Sequence, residues 1–267
     1  MTEKIRIGAL ISGGGSNLQA IMDSCKNGQI NGKVSFIGSD NPRSGGLKRA
    51  AAPKIPTFVV DYTSIIQKVK ADPAAAVLPA DFDYEDILAR QTLVQDWNDD
   101  DKIRSFLMSR AIAEAQLLAE MARHSYDLLI LAGFMRTLTP YFIDRVNLDR
   151  GNPRIMNIHP ALLPAFPGTD GYGDTFRYGC KVAGCTVHFI DYGEDTGPII
   201  GQRAFAIAPD DSLELIREKG LKLEWQLYPE CIQLFAEGRL KTVKKTFTLP
   251  NGRQHQRTIV EILPESS

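Results

Sequence analysis

Apolar positions along the chain fall into short uninterrupted runs, separated by longer stretches with helical spacing. Residues 5–11 and 128–131 are almost wholly aliphatic, the pattern of strands buried on both faces of a parallel sheet. Weaker runs at 34–38, 57–60 and 155–158 repeat it. Between these runs the spacing predicts a helix over 16–27, a short helix over 46–52, and a long helix opened by Asp99 or Asp101 and reaching about residue 123. Along that last helix Ile103, Leu107, Ala111, Ala115 and Leu118 recur as one apolar stripe. The alternation predicts an α/β fold, doubly wound and Rossmann-like, with a mostly parallel sheet whose strand C-terminal ends carry the ligands. Further strand patterns occupy 184–190 and 198–205. A helix follows from a capping-box opening at 211–214 to about residue 237, bent at Pro229. Alternation at 242–249 and 257–262 around Pro250-Asn251-Gly252 predicts a closing β-hairpin.

One segment breaks the rhythm. Residues 62–101 carry Ala74-Ala75-Ala76, Pro73, Pro79 and acidic clusters at 81–86 and 99–101. They read as an acidic helical insertion within a single domain spanning 1–267, with 241–267 as a C-terminal hairpin extension. The carboxylates lack calcium-loop spacing. They suit a solvated face or, through Phe82, Tyr84 and Trp97, a contact between two copies in a homodimer.

Composition narrows the partners. With 267 residues, 43% of them hydrophobic, and a net charge of −1, the chain buries a full core, and its charge balance favours neither nucleic acid nor an anionic membrane. No apolar run approaches the ~18 residues that span a bilayer. Met1 to Lys4 leads straight into a strand, so a cytoplasmic protein is expected. Cys25, Cys180, Cys185 and Cys231 show no C-x-x-C pairing and read as small buried hydrophobes, with no metal site expected.

Candidate chemistry gathers at the strand ends. Asn157 and His159 lie two residues apart and share one face of a strand, which Pro160 stops. An amide donor beside an imidazole suits acyl transfer, because one stabilises negative charge on a carbonyl oxygen while the other moves a proton. A histidine that merely caps backbone groups is the plainer reading. The loop Gly13, Gly14, Gly15, Ser16, Asn17 links the first strand to a helix N-terminus, an arrangement that favours phosphate. Leu18 stands where a dinucleotide fingerprint needs glycine, and the P-loop lysine is missing, so a single phosphomonoester fits better. Residues 134–138 follow a buried strand and offer apolar walls for a planar heterocycle. Residues 166–173 are glycine-rich and read as a mobile cover.

Taken together, Asn157-Ile158-His159-Pro160-Ala161-Leu162-Leu163-Pro164, then Thr186-Val187-His188-Phe189 with Asp195-Thr196-Gly197-Pro198, Ser12 to Ile21, and Leu131-Ala132-Gly133-Phe134-Met135-Arg136 resemble the glycinamide ribonucleotide (GAR) formyltransferases of de novo purine synthesis. Those enzymes use 10-formyltetrahydrofolate as co-substrate and require no metal. The resemblance covers roughly residues 5–240 and implies roles. Asn157 would bond the formyl oxygen, His159 would act as general acid and base, and Asp195 would favour the protonated imidazole or hold a relay water. His188 would support them from behind. Met135 and Glu224 would contact the acceptor, and Phe134, Arg136, Thr137, Leu138, Asp191 and Glu194 the folate. The family usually has a shorter connection at 62–101, and many relatives carry a histidine near where Asp170 and Tyr172 stand. The same trio occurs in 10-formyltetrahydrofolate hydrolases and in formyltransferases acting on tRNA or sugars. Hydrolases would carry a regulatory domain ahead of the glycine loop, and the tRNA enzymes a basic barrel after Leu240. A non-catalytic folate- or nucleotide-binding relative is the alternative from another class.

Overall fold

The computed structural model describes residues 3–265 except 52 and 150. Ala52, the expected end of the short helix, and the first two residues of the expected leaderless start lie outside the described residues. The chain runs β1 (Ile5–Ile11), α1 (Ser16–Asn27), β2 (Gly32–Ser39), a 3-10 turn (Gly45–Ala50), β3 (Thr57–Val59), α2 (Tyr62–Ala71), α3 (Tyr84–Arg90), α4 (Asp100–Met121), β4 (Leu128–Leu131) and α5 (Pro140–Val146). It continues through β5 (Ile155–His159), α6 (Gly171–Arg177), β6 (Val182–Phe189), β7 (Ile199–Ala206), α7 (Leu213–Ala236), β8 (Leu240–Thr248) and β9 (Gln254–Ile262). The seven-stranded sheet has the order β3-β2-β1-β4-β5-β6-β7, and β8-β9 form a separate hairpin. Strands β1 to β5 pair in parallel, while β6 pairs antiparallel with both β5 and β7.

Period-two burial explains the layers. Ile7, Ala9, Ile11, Leu128 and Ile130 enter the core beneath α1 and α7, whereas Leu10, Leu129 and Leu131 enter the core beneath α2, α4 and α5. Helices therefore cover both faces, which is why the strands carry uninterrupted aliphatic runs. Removing one such side chain, as in Leu129→Ala, costs about 2–5 kcal/mol. Cys185 and Cys231 are buried in the first core, and all four cysteines are free thiols.

Asp99 caps α4 by accepting the Lys102 N–H at 2.9 Å. The predicted stripe holds for Ile103, Leu107 and Ala111 but then rotates to Ala113, Leu117 and Met121. The cause is two partners: the helix start faces the segment 62–101, and its end faces the sheet. Ser212 caps α7 from the Leu215 N–H, but the N3 position is Leu215 rather than an acid. The second half of the expected capping box is therefore missing.

Segment 62–101 is helical, and its aromatic residues turn inward. Phe82 meets the Tyr141 ring edge-on, Trp97 meets Phe106, and Tyr84 joins the same cluster. Those contacts lie within one chain and leave the three aromatics partly buried. Tyr62 is fully buried in the sheet core.

Between β1 and β4 the strand order reverses, because the chain first builds outward through β2 and β3 and then returns. Such a reversal leaves a crevice at the strand C-terminal ends. Ser12, just past β1, donates its N–H to Gly133 O at 3.0 Å and accepts the Met135 N–H at 2.7 Å. The register Leu10–Leu131–Asn157–His188 runs straight across the sheet at this level.

Candidate active site

A cavity of about 440 Å³ opens at that crevice, within the size range of small-molecule sites. Asn157, His159 and Asp195 all line it. Asn157 and His159 reach it from alternate positions of β5, and Asp195 from the loop between β6 and β7. His159 Nδ1 lies 3.1 Å from Asp195 Oδ2, and Asn157 Nδ2 donates to His188 Nε2 at 3.3 Å. His188 Nε2 is 3.6 Å from Asp195 Oδ1, beyond hydrogen-bond reach.

The hydrogen bonds fix the chemistry of each group. His188 Nδ1 donates to Phe189 O at 2.9 Å, which leaves Nε2 to accept from the Asn157 amide. That orients the amide and leaves its second N–H for a ligand. His159 Nε2 donates to Phe166 O at 2.7 Å, while Nδ1 faces the Asp195 carboxylate. Burial opposes ionisation of Asp195, but the facing His159 and the Gly168 N–H favour the carboxylate and hold it below its usual range. Gly168 donates that bond at 2.8 Å. Phe166 and Asp195, the two partners of the imidazole, both adopt positive φ, 54° and 53°. Asp tolerates that region, whereas for Phe it costs about 1–2 kcal/mol.

One end of the cavity is built by three distant elements. Glu224, on α7, is buried and accepts from Asn17 Nδ2 at 2.7 Å and from Tyr172 OH at 2.8 Å. All three line the cavity. Of the glycine loop, only Asn17 reaches the cavity wall; Gly13, Gly14, Gly15 and Ser16 lie beside it at the α1 N-terminus. Their carbonyls are anchored: Gly13 O accepts from Gly46 N and Ser44 Oγ, Gly14 O from Arg49 Nε, and Gly15 O from Gln19 N. Gly46 is needed for that approach, since a Cβ there would meet Ile11 at 2.6 Å and Gly13 O at 3.1 Å. Anchored carbonyls leave the loop's N–H groups with the positive end of α1.

Phe134, Met135, Arg136, Thr137 and Leu138 line the opposite wall. Phe134 and Leu138 are also packed into the core, and Met135 is exposed. Arg136 is paired with the buried Asp40, its guanidinium 5.5 Å from the Tyr62 ring. Glu194 lines the cavity. Asp191 does not; its carboxylate accepts from Gly193 N at 3.2 Å and from Thr196 Oγ1, which folds the loop that presents Asp195. The expected mobile cover is shorter than its glycines suggested, because Gly171, Tyr172 and Gly173 form the buried first turn of α6. Thr186 donates to Ala161 O at 2.7 Å and accepts the Leu163 N–H at 3.0 Å, fixing the chain that leaves β5. Among the described residues no group of three His, Cys, Asp or Glu side chains is arranged to hold a metal ion.

Several supporting residues escaped the sequence. Tyr228 of α7 donates its hydroxyl to Met156 O at 2.7 Å and Leu131 O at 3.2 Å, tying β5 to β4 just below Asn157. Thr92, from segment 62–101, donates its N–H to Tyr192 O at 3.2 Å. Arg90 pairs with Asp144 and lies 5.6 Å from the Tyr192 ring, whose hydroxyl also bonds Asp144. The loop carrying Asp195 is thus braced from outside. A tyrosine followed by proline inside a helix was the one available hint for Tyr228; nothing local marked Thr92.

A doubly wound sheet with an amide, an imidazole and a carboxylate converging at its switch point defines a group-transfer site, and the chain belongs to the formyl transferase family, whose model matches residues 5–232. Phosphoribosylglycinamide formyltransferase from Bacillus subtilis is 34% identical over 222 residues, covering 83% of this chain and 90% of that protein. The Escherichia coli protein of the same name is 31% identical over 237 residues, covering 89% and 90%. The crystal structure of glycinamide ribonucleotide transformylase 1 from Symbiobacterium toebii superposes with a TM-score of 0.69 at 34% identity, covering 99% of this chain and 96% of that one.

Proposed function

We propose that this protein transfers the formyl group of 10-formyltetrahydrofolate to the primary amine of glycinamide ribonucleotide in de novo purine synthesis. The observation that carries the reading is the convergence of Asn157, His159 and Asp195 on one cavity, with the α1 N-terminus and Glu224 at its other end. When bound, the folate supplies the formyl carbon and a nitrogen leaving group. The apolar wall of Phe134, Leu138, Ile158 and Ile190 suits a flat heterocycle. The backbone N–H groups of residues 13–16 take the phosphate of the acceptor. Asn157 offers its free N–H to the formyl oxygen as charge develops there. His159 accepts a proton from the attacking amine at Nδ1, the nitrogen that does not donate to Phe166 O, and returns it to the departing nitrogen, with Asp195 beside Nδ1 stabilising the imidazolium between those steps. No metal enters this scheme. The partners are small molecules, the protein is cytoplasmic, and residues 62–101 are an insertion within one domain.

The test is a record of folate absorbance with donor present and the ribonucleotide amine added or withheld. Turnover should require the amine and consume it. His159→Ala should lower kcat/KM by about 10²–10⁴-fold while both ligands still bind. Formate release without amine would mark a hydrolase instead, and binding without turnover would mark a non-catalytic relative.

A further inference from the structure

Tyr172 is used by none of the steps above, yet it sits in the cavity wall and is only 5% exposed. Its hydroxyl donates to Glu224 Oε1 at 2.8 Å, while Asn17 Nδ2 donates to Glu224 Oε2 at 2.7 Å. Each carboxylate oxygen therefore has one donor from the chain and keeps acceptor capacity for a ligand. Beside them Asn17 Oδ1 is buried with no partner. A buried acceptor without a donor is costly unless a ligand supplies one. Burial, then the charge of Glu224, pushes the Tyr172 phenol well above its ordinary range, so the hydroxyl remains a donor at any working pH. Its ring has room only because residue 220 is glycine: a Cβ there would lie 2.1 Å from Tyr172 Cζ and 2.2 Å from its hydroxyl. Real Cβ atoms do not approach so closely. Tyr172 also packs with Ala183 and Ile216 away from the cavity.

We infer that Tyr172 and Gly220 form a positioning pair, which holds the Glu224 carboxylate in the orientation that receives the sugar hydroxyls of the phosphorylated amine. The inference rests on the proposed function and adds what fixes recognition of the acceptor: the two carboxylate oxygens of Glu224, set by a contact between α6 and α7. A purely structural tyrosine would contribute to stability and leave acceptor affinity untouched.

Steady-state kinetics on Tyr172→Phe and Gly220→Ala separate these. Tyr172→Phe removes one charge-assisted hydrogen bond, so the KM for glycinamide ribonucleotide should rise by roughly ten-fold or more. The KM for the folate donor and the pH profile of kcat should stay as in the unmodified protein. Gly220→Ala, which leaves the hydroxyl but displaces the ring, should raise the same KM. An acceptor lacking ribose hydroxyls should bind the unmodified protein weakly and lose nothing further in Tyr172→Phe. If both variants melt at lower temperature yet keep the acceptor KM, the inference is overturned while the proposed function stands. If Tyr172→Phe fails to fold, the acceptor KM of Gly220→Ala decides. If the unmodified protein forms no formylated ribonucleotide, the proposed function fails and this inference falls with it.

Discussion

At the scale of single residues, what the sequence revealed and what it hid divide by distance along the chain. Asn157 and His159 were legible as a pair because strand geometry alone puts residues i and i+2 on one face. Resemblance gave Asp195 the place beside the imidazole and Asp191 a folate contact; in the fold Asp195 faces His159, while the Asp191 carboxylate builds the loop. The Tyr172–Glu224 contact joins residues 52 positions apart, and no local pattern announces it. Glu114 was equally silent. It lies fully buried on α4 and accepts from both the N–H and the hydroxyl of Thr139. Burial pushes its carboxyl from 4.5 up to about 8, opposed by the Thr139 bonds and by Arg110. The folded state thus holds a proton there that the unfolded chain has released, so stability falls as pH rises from about 4.5 through about 8. Glu114→Gln should flatten that decline, because the amide keeps both Thr139 contacts and does not titrate. Urea midpoints of both proteins across that range check it; parallel curves would rule the titration out.

At the scale of elements, the aliphatic runs identified the strands well, because burial on both faces leaves few polar positions to confuse the reading. The direction of β6 and β7 was less legible, since a short apolar run carries no record of its partner. Segment 62–101 keeps its carboxylates exposed, as a solvated acidic face would, where they cap helices or pair with arginines, while its aromatics fill a small core of their own. Its tail does more than fill space, for Arg90 and Thr92 hold the loop from 191 to 195 through Asp144 and Tyr192. Loosening that brace should let the loop that carries Asp195 drift. Arg90→Ala is expected to raise the donor KM several-fold, with the acceptor KM unchanged. Kinetics with each substrate varied in turn would show it. Equal effects on both substrates would mean general destabilisation instead.

At the scale of the whole molecule, the two cores on either side of the sheet make a rigid floor, and the reversal between β1 and β4 leaves the crevice that everything else lines. The glycine loop, the β4 end, the β5 tip, the Asp195 loop and α7 come from five separate parts of the chain and converge there. No helix among the described residues is long and apolar enough to cross a membrane. The central claim is that these parts place a phosphorylated amine with its nitrogen at the β5 tip. A crystal of the protein soaked with glycinamide ribonucleotide measures that placement directly. The phosphate should settle on the backbone N–H groups of residues 13–16, the sugar hydroxyls on Glu224, and the amine within hydrogen-bond reach of Asn157 or His159. A phosphate bound elsewhere, or an amine pointing away from His159, would contradict the account.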